Sequence, residues 1–306
     1  MPDRWGALPY EEWSATCETL HAHTQVLGKL AARLAPPEPQ LQHAALRLTV
    51  RGWETLPLPM PDGSGAIALT IDLHTHQTVI EVSDGRRLSI PLTPNRSVGE
   101  VTREVLAAVR NLIGPVSFDL RPQETPWSIR LDEDDQHATY DTAQVAAYLA
   151  AATRAAGVLN EIRAPFRGRA TPVNAWWGSF DLAVSLFSGR PADPASSDFI
   201  RRNSMDAQEM ALGWWPGDRR YPKPAFYAYA HPTPPGYEQA VLEPTSARWE
   251  SSLGEFILDW DAVIRAADPR TTAVSFFRSV VRHTCTACDW DVALSSSLEG
   301  VPPPIT

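Results

Sequence analysis

The hydrophobic period of this chain switches between the helical spacing of three to four and the strand spacing of two, and it does so twice. Between Glu11 and Leu34 the apolar or small residues Trp13, Cys17, Leu20, Thr24, Leu27, Ala31 and Leu34 recur three and four apart, which is one face of an amphipathic helix. Pro36-Pro37 ends it. Alternating segments follow at 45–50, 66–73, 78–82 and 87–91, broken by Asp62-Gly63 and Asp84-Gly85, and predict an antiparallel meander. Ser97-Val98-Gly99-Glu100 has capping-box spacing and opens a helix that Gly114-Pro115 closes. The order then repeats. Tyr140-Asp141-Thr142-Ala143-Gln144-Val145 puts Asp at the N-cap and Gln three residues on, so a second long helix is expected from Thr142 to about Arg163. Strand-like runs at 173–187, 209–215, 225–231 and 255–258 come next, then a helix from about Thr271 to Cys285.

This order predicts the α+β class: two similar halves, each an antiparallel sheet covered by helices, as an internal duplication would leave. The expected division is 1–120 as the N-terminal half, 121–140 as an acidic, Pro-rich connection and 141–306 as the C-terminal half, all in one compact unit. Direct likeness between the halves is confined to a helix ending in Leu34-Ala35-Pro36 or Arg163-Ala164-Pro165 before a strand.

Composition removes several functional classes. With 43% hydrophobic and 21% charged residues the chain is globular in type, and no stretch approaches the roughly 18 apolar residues of a membrane span. Met1-Pro2-Asp3-Arg4-Trp5 has no basic region leading into an apolar run, so a cytoplasmic location is expected. Cys17, Cys285 and Cys288 are too few and too unevenly placed for a disulfide framework. A net charge of −9, with Lys29 and Lys223 the only lysines, argues against a nucleic-acid partner. There is no Gly-x-Gly-x-x-Gly, no Walker loop, no Gly-x-Ser-x-Gly elbow and no deaminase signature.

Several phrases carry a resemblance. Leu8-Pro9 with Trp13, Thr19-Leu20-His21, Asp132-Glu133-Asp134 running into His137-Ala138-Thr139-Tyr140-Asp141, Trp177-Gly178-Ser179-Phe180-Asp181-Leu182-Ala183, Trp215-Pro216-Gly217 and Ala225-Phe226-Tyr227-Ala228-Tyr229 together resemble a bacterial family, domain of unknown function 5996. The resemblance spans about residues 7–290 and implies one conserved unit. It brings no activity, cofactor or site residue with it.

The residues themselves suggest chemistry. Read as one strand, 173–187 puts Trp177, Ser179, Asp181 and Ser185 on a face too polar for core and too aromatic for plain surface. The same alternation groups Tyr227, Tyr229 and His231, and such faces could wall a pocket together with Trp215. His21 lies at the edge of the first helix's buried stripe with Gln25 one turn on, suited either to acid–base work or to a hydrogen bond with a backbone carbonyl. His137 follows Asp132, Glu133, Asp134 and Asp135, whose charges would raise its pKa where they lie near. His74-x-His76 falls in an expected hairpin turn, and Cys285-x-x-Cys288 falls near a helix C-terminus, so neither reads as a metal or redox site.

The expectation that collects these features is a small-molecule enzyme using histidine and carboxylate chemistry in an aromatic-lined pocket. His21 and His137 would be bases or ligands of a divalent metal, Asp181 would orient one of them, and Ser179 would donate a hydrogen bond. Trp177, Trp215, Tyr227 and Tyr229 would form the substrate wall. The competing expectation is a noncatalytic ligand-binding or protein-interaction module built on the same aromatics. The enzyme needs His21 and His137 within about 8 Å, the reach of groups sharing one atom, and the module does not.

Overall fold

The computed structural model describes residues 5–194 and 196–296. The chain is α+β, with two antiparallel sheets and helices that pack against them. It divides into two compact units: the first is Tyr10–Ala150 with Asn174–Asp181, and the second is the described part of Met1–Pro9, Ala151–Val173 and Leu182–Thr306.

The first unit opens with α1 (Tyr10–Leu34), whose predicted stripe is buried at Trp13, Cys17, Leu20, Thr24, Leu27 and Ala31. Six short strands follow: β1 (Arg47–Leu48), β2 (Gly52–Glu54), β3 (Leu58–Pro59), β4 (Ala66–Asp72), β5 (Gln77–Val82) and β6 (Arg87–Pro91). They pair in the order β1-β2-β4-β5-β6, with β3 added to β4. The register sets Trp53, Ile71 and Thr78 in one row, and Leu69 opposite Ile80 in the next. Asp84-Gly85 makes the expected β5–β6 turn, with Gly85 at φ 92°. Helix α2 (Val98–Ile113) packs on β5 and β6, while α1 packs on β3 and β4. Each helix thereby buries its apolar stripe on the sheet. His74 and His76 lie in the β4–β5 turn, as the place of their segment between two strand-like runs suggested.

Helix α3 (Thr142–Arg163) matches its predicted range, and Asp141 caps it by accepting the backbone N–H of Ala143 and Gln144, both at 2.9 Å. The division between units falls within this helix, after Ala150. The acidic stretch 121–140 thus lies inside the first unit, not between halves. The reason is local. The Val98 and Gly99 amides donate to the carbonyls of His137 and Asp134, and the Ser97 hydroxyl donates to Asp135, so the stretch satisfies the open end of α2.

The run 173–187 is not one strand. It comprises β7 (Asn174–Trp176), a turn, and β8 (Asp181–Pro191). Phe180 turns the chain with φ 58°, a left-handed conformation that breaks the alternation on which the expected faces depended. The second unit continues with α4 (Phe199–Ser204), β9 (Ala207–Trp215), β10 (Ala225–His231), β11 (Arg248–Glu250), β12 (Glu255–Asp259), α5 (Trp260–Arg265), α6 (Pro269–Ala287) and α7 (Val292–Ser295). Strands β8 to β12 run in the order β11-β12-β10-β9-β8. Leu182, Trp214, Phe226 and Leu258 share one face by register, and α5 and α6 pack on this sheet. Among the described residues no helix is long and apolar enough to cross a membrane.

Candidate functional site

Glu18, His21 and Gln25 stand three and four residues apart on α1, so their side chains rise from one face of the helix. The Trp177–Phe180 turn and part of the acidic stretch meet that face. Nε2 of His21 lies 3.0 Å from the Trp177 carbonyl and 2.9 Å from that of Gly178. Carbonyls only accept, so Nε2 carries the proton. Gln25 donates from Nε2 to the Trp177 carbonyl at 2.9 Å and to that of Gln123 at 3.0 Å, and its Oε1 accepts the Gln123 amide at 3.0 Å. The core-edge role is therefore the one His21 fills. Its ring also stacks on Phe180 at 5.0 Å, and Phe180 stacks in turn on Trp53 and Tyr148. Holding an aromatic residue in the left-handed region costs on the order of 1–3 kcal/mol, which these stacks offset.

His137 is held from two sides. Its Nδ1 donates to Asp134 Oδ2 at 2.7 Å, and its Nε2 faces Glu18 Oε2 at 3.6 Å, beyond hydrogen-bond length. Burial works against the imidazolium, but the hydrogen bond to Asp134 and the charges of Asp134 and Glu18 outweigh it and push His137 up to about 9. Asp134 is 2% exposed, and burial alone would raise it. Hydrogen bonds from the His137 ring and from the Gln136 and His137 amides hold it below the usual carboxylate range instead. Of the four carboxylates expected around His137, only Asp134 reaches it. Asp132 and Glu133 pair with Arg130, and Asp135 accepts the Ser97 hydroxyl.

The two histidines meet at Trp127. Its indole lies 5.1 Å from the His21 ring and 5.1 Å from the His137 ring, ring centre to ring centre. The Trp127 indole N–H is buried and has no hydrogen-bond partner among the described residues. The indoles of Trp13 and Trp290 are also unpaired, but neither has a histidine among its ring contacts.

The remaining predicted residues fall in separate places. Ser179 donates its hydroxyl to Asp181 within the same turn. Trp177 is buried, donates Nε1 to the Ala44 carbonyl at 3.0 Å, and lies against Gly28. Trp215, Tyr227 and Tyr229 belong to the second unit, where Trp215 meets Tyr227 edge-on at 5.4 Å and Tyr227 stacks on Tyr229 at 6.3 Å. Gly213 leaves room for this row, since a Cβ there would lie 2.2 Å from the Tyr227 ring. Cys285 and Cys288 are buried at the end of α6, and burial pushes the Cys285 thiol up to about 11. As for the expected metal, among the described residues no group of three or more His, Cys, Asp or Glu side chains is arranged to hold one.

Sequence reasoning missed Glu18 and Trp127. Glu18 could have been found from its position one turn before His21 on the same helical face. The family model described as a family of unknown function (DUF5996) matches residues 5–297. The chain belongs to DUF5996. No curated protein and no solved structure matches it. What this DUF5996 chain offers chemically is a charged imidazole oriented by a buried carboxylate, beside a second carboxylate and an indole N–H with no acceptor.

Proposed function

We propose that the protein is an acid–base enzyme acting on a small polar molecule, with His137 as the proton donor. The observation that carries this reading is the buried N–H of Trp127, without a partner among the described residues, on an indole that lies 5.1 Å from each histidine ring. An unsatisfied buried donor costs about 1–3 kcal/mol, and an oxygen of a bound substrate would supply its acceptor. Such an oxygen would lie beside Nε2 of His137, whose proton it could take. Asp134 would keep the imidazole oriented through Nδ1, the Glu18 carboxylate would favour its charged form from the Nε2 side, and solvent would restore the proton after transfer. The chemistry proposed here is proton transfer. The three buried cysteines, none of them in a disulfide, fit a reducing, cytoplasmic location for it.

A noncatalytic ligand-binding role is the second reading. It is favoured by His21, whose Nε2 proton is taken up by backbone carbonyls.

The test pairs wild type with H137Q and W127F against a pool of small polar metabolites, read by mass spectrometry for depletion. An enzyme depletes a pool member, with an alkaline limb near pH 9, and H137Q loses roughly a hundredfold or more in rate. Binding that shifts the Trp127 indole resonance without depletion would favour the second reading. Depletion undiminished in H137Q would sink the first.

A further inference from the structure

Lys29 and Lys223 are the only lysines, and their surroundings differ. Lys223 is exposed on the loop between β9 and β10. Lys29 is buried on α1, one turn beyond Gln25, and its Nζ lies 5.5 Å from the centre of the Trp177 ring. Its amine makes no hydrogen bond or ion pair with any described residue, yet it is not closed off as the indole N–H of Trp127 is. Asp119, the carboxylate whose charge it feels, is exposed and accepts the Arg121 amide at 3.0 Å. Arg33, one turn further along α1, donates Nε to the Ser117 carbonyl at 3.2 Å. Burial disfavours the ammonium more than the charge of Asp119 favours it, and Lys29 is pushed down to about 8. A lysine amine buried against an aromatic face, with no counter-ion in contact, is the setting in which this side chain becomes a nucleophile.

We propose that the Lys29 amine is a covalent site for small uncharged aldehydes, which it takes up as an imine. Nζ gives its lone pair to the carbonyl carbon while the π pair of the C=O bond moves to oxygen. The carbinolamine so formed then loses water: the C–O bond breaks, the C=N bond forms, and the two amine hydrogens leave with the oxygen. The step needs no oxidant, reductant or further reactant, and water reverses it. The Trp177 ring gives the alkyl group an apolar face. The charge of Asp119 favours a protonated imine and disfavours an anionic aldehyde. The alternative role for Lys29 is a charged ammonium held over the indole by cation–π attraction, which leaves the amine unreactive at neutral pH.

The test treats the full wild-type chain with propanal and sodium cyanoborohydride, which reduces the imine to a stable secondary amine, and follows Lys29 and Lys223 separately by peptide mass spectrometry. At pH 8 Lys29 should be alkylated roughly tenfold or more faster than Lys223, because about half of its amine is neutral there against roughly 1 part in 300 for an ordinary lysine. The ratio should fall to about one in urea, where both lysines are solvated, and should be smaller with glyoxylate, an anionic aldehyde. Equal or faster alkylation of Lys223 in the folded chain would overturn the proposal. So would a preference for Lys29 that persists in urea or grows with glyoxylate. The readout needs neither His137 nor turnover, so this proposal and the proton-transfer reading fail separately.

Discussion

Burial and charge drive two histidines of the first unit to opposite protonation states. His23 is 4% exposed, and burial pushes it down to about 4 despite the pull of Asp134. His137 is pushed up to about 9 by Asp134 and Glu18 against the effect of burial. The signs of the two pH dependences follow. For His137, folded and unfolded states both hold the proton below its ordinary value of 6.5, so its contribution is full there. Between about 6.5 and 9 only the folded state holds the proton, and stability falls as pH rises. For His23 the contribution is full above 6.5 and is lost as pH falls toward about 4. Each limb is worth on the order of 3 kcal/mol. Urea denaturation across pH should show H137Q with a flattened alkaline limb and H23Q with a flattened acid limb. An alkaline slope that survives in H137Q would mean another group carries it. Lys29 is a third case. It is 6% exposed, its Nζ lies 5.5 Å from the centre of the Trp177 ring, and burial pushes it down to about 8 against the charge of Asp119. Its folded form favours the neutral amine, so wild-type stability rises between about pH 8 and 10.5. Relative to K29M, the wild type should gain on the order of 3 kcal/mol between pH 7 and 10. A constant gap across that range would show the amine to be ordinary.

At the scale of elements, α1 carries Glu18 and His21 of the candidate site, and its packing depends on one glycine. A Cβ at Gly28 would lie 2.0 Å from two atoms of the Trp177 indole, so the helix can meet the turn only where a side chain is missing. G28A should destabilise the protein by about 1–3 kcal/mol or more and shift tryptophan emission as Trp177 is displaced. Unchanged melting would show that the turn yields freely. Elements specified by local chemistry were legible in the sequence. The Ser97–Glu100 capping box, the Asp141 cap and the helix it opens, and the strand Ala225–His231 all lie where their residues place them. The 174–181 region was not legible. Gly178-Ser179 is a weak turn signal there, while the chain reverses at Phe180, whose left-handed backbone is held by stacking on His21, Trp53 and Tyr148 from distant parts of the chain. The site was legible to the same extent. His21 and His137 stood out as polar residues beside apolar patterns and Glu18 is marked by its place one turn before His21, but Trp127 joins them only through tertiary contacts that no spacing records.

For the molecule as a whole, the α+β class followed from the repeated change of period, whereas the two-unit division did not, because the chain enters the first unit twice. The return segment, Asn174–Asp181, is short but central to that unit. Ala175 exchanges backbone hydrogen bonds with Leu46, and Trp177 and Gly178 supply the carbonyls that His21 meets. Phe180 fills the space between His21, Trp53 and Tyr148. A fragment ending at residue 150 keeps every strand from β1 to β6 and both helices α1 and α2, yet it leaves those aromatic faces without Phe180 and Trp177. Losing two such buried side chains costs about 3–5 kcal/mol each, comparable with the whole stability of an ordinary domain. The 1–150 fragment should therefore show helical far-UV circular dichroism with little near-UV signal and no cooperative melt. The 1–181 fragment, which restores the segment, should regain near-UV signal from its stacked aromatics. Native-like near-UV dichroism and a sharp melt in 1–150 alone would show that the first unit completes its core without the returning segment, and that His21 does not depend on the turn it meets.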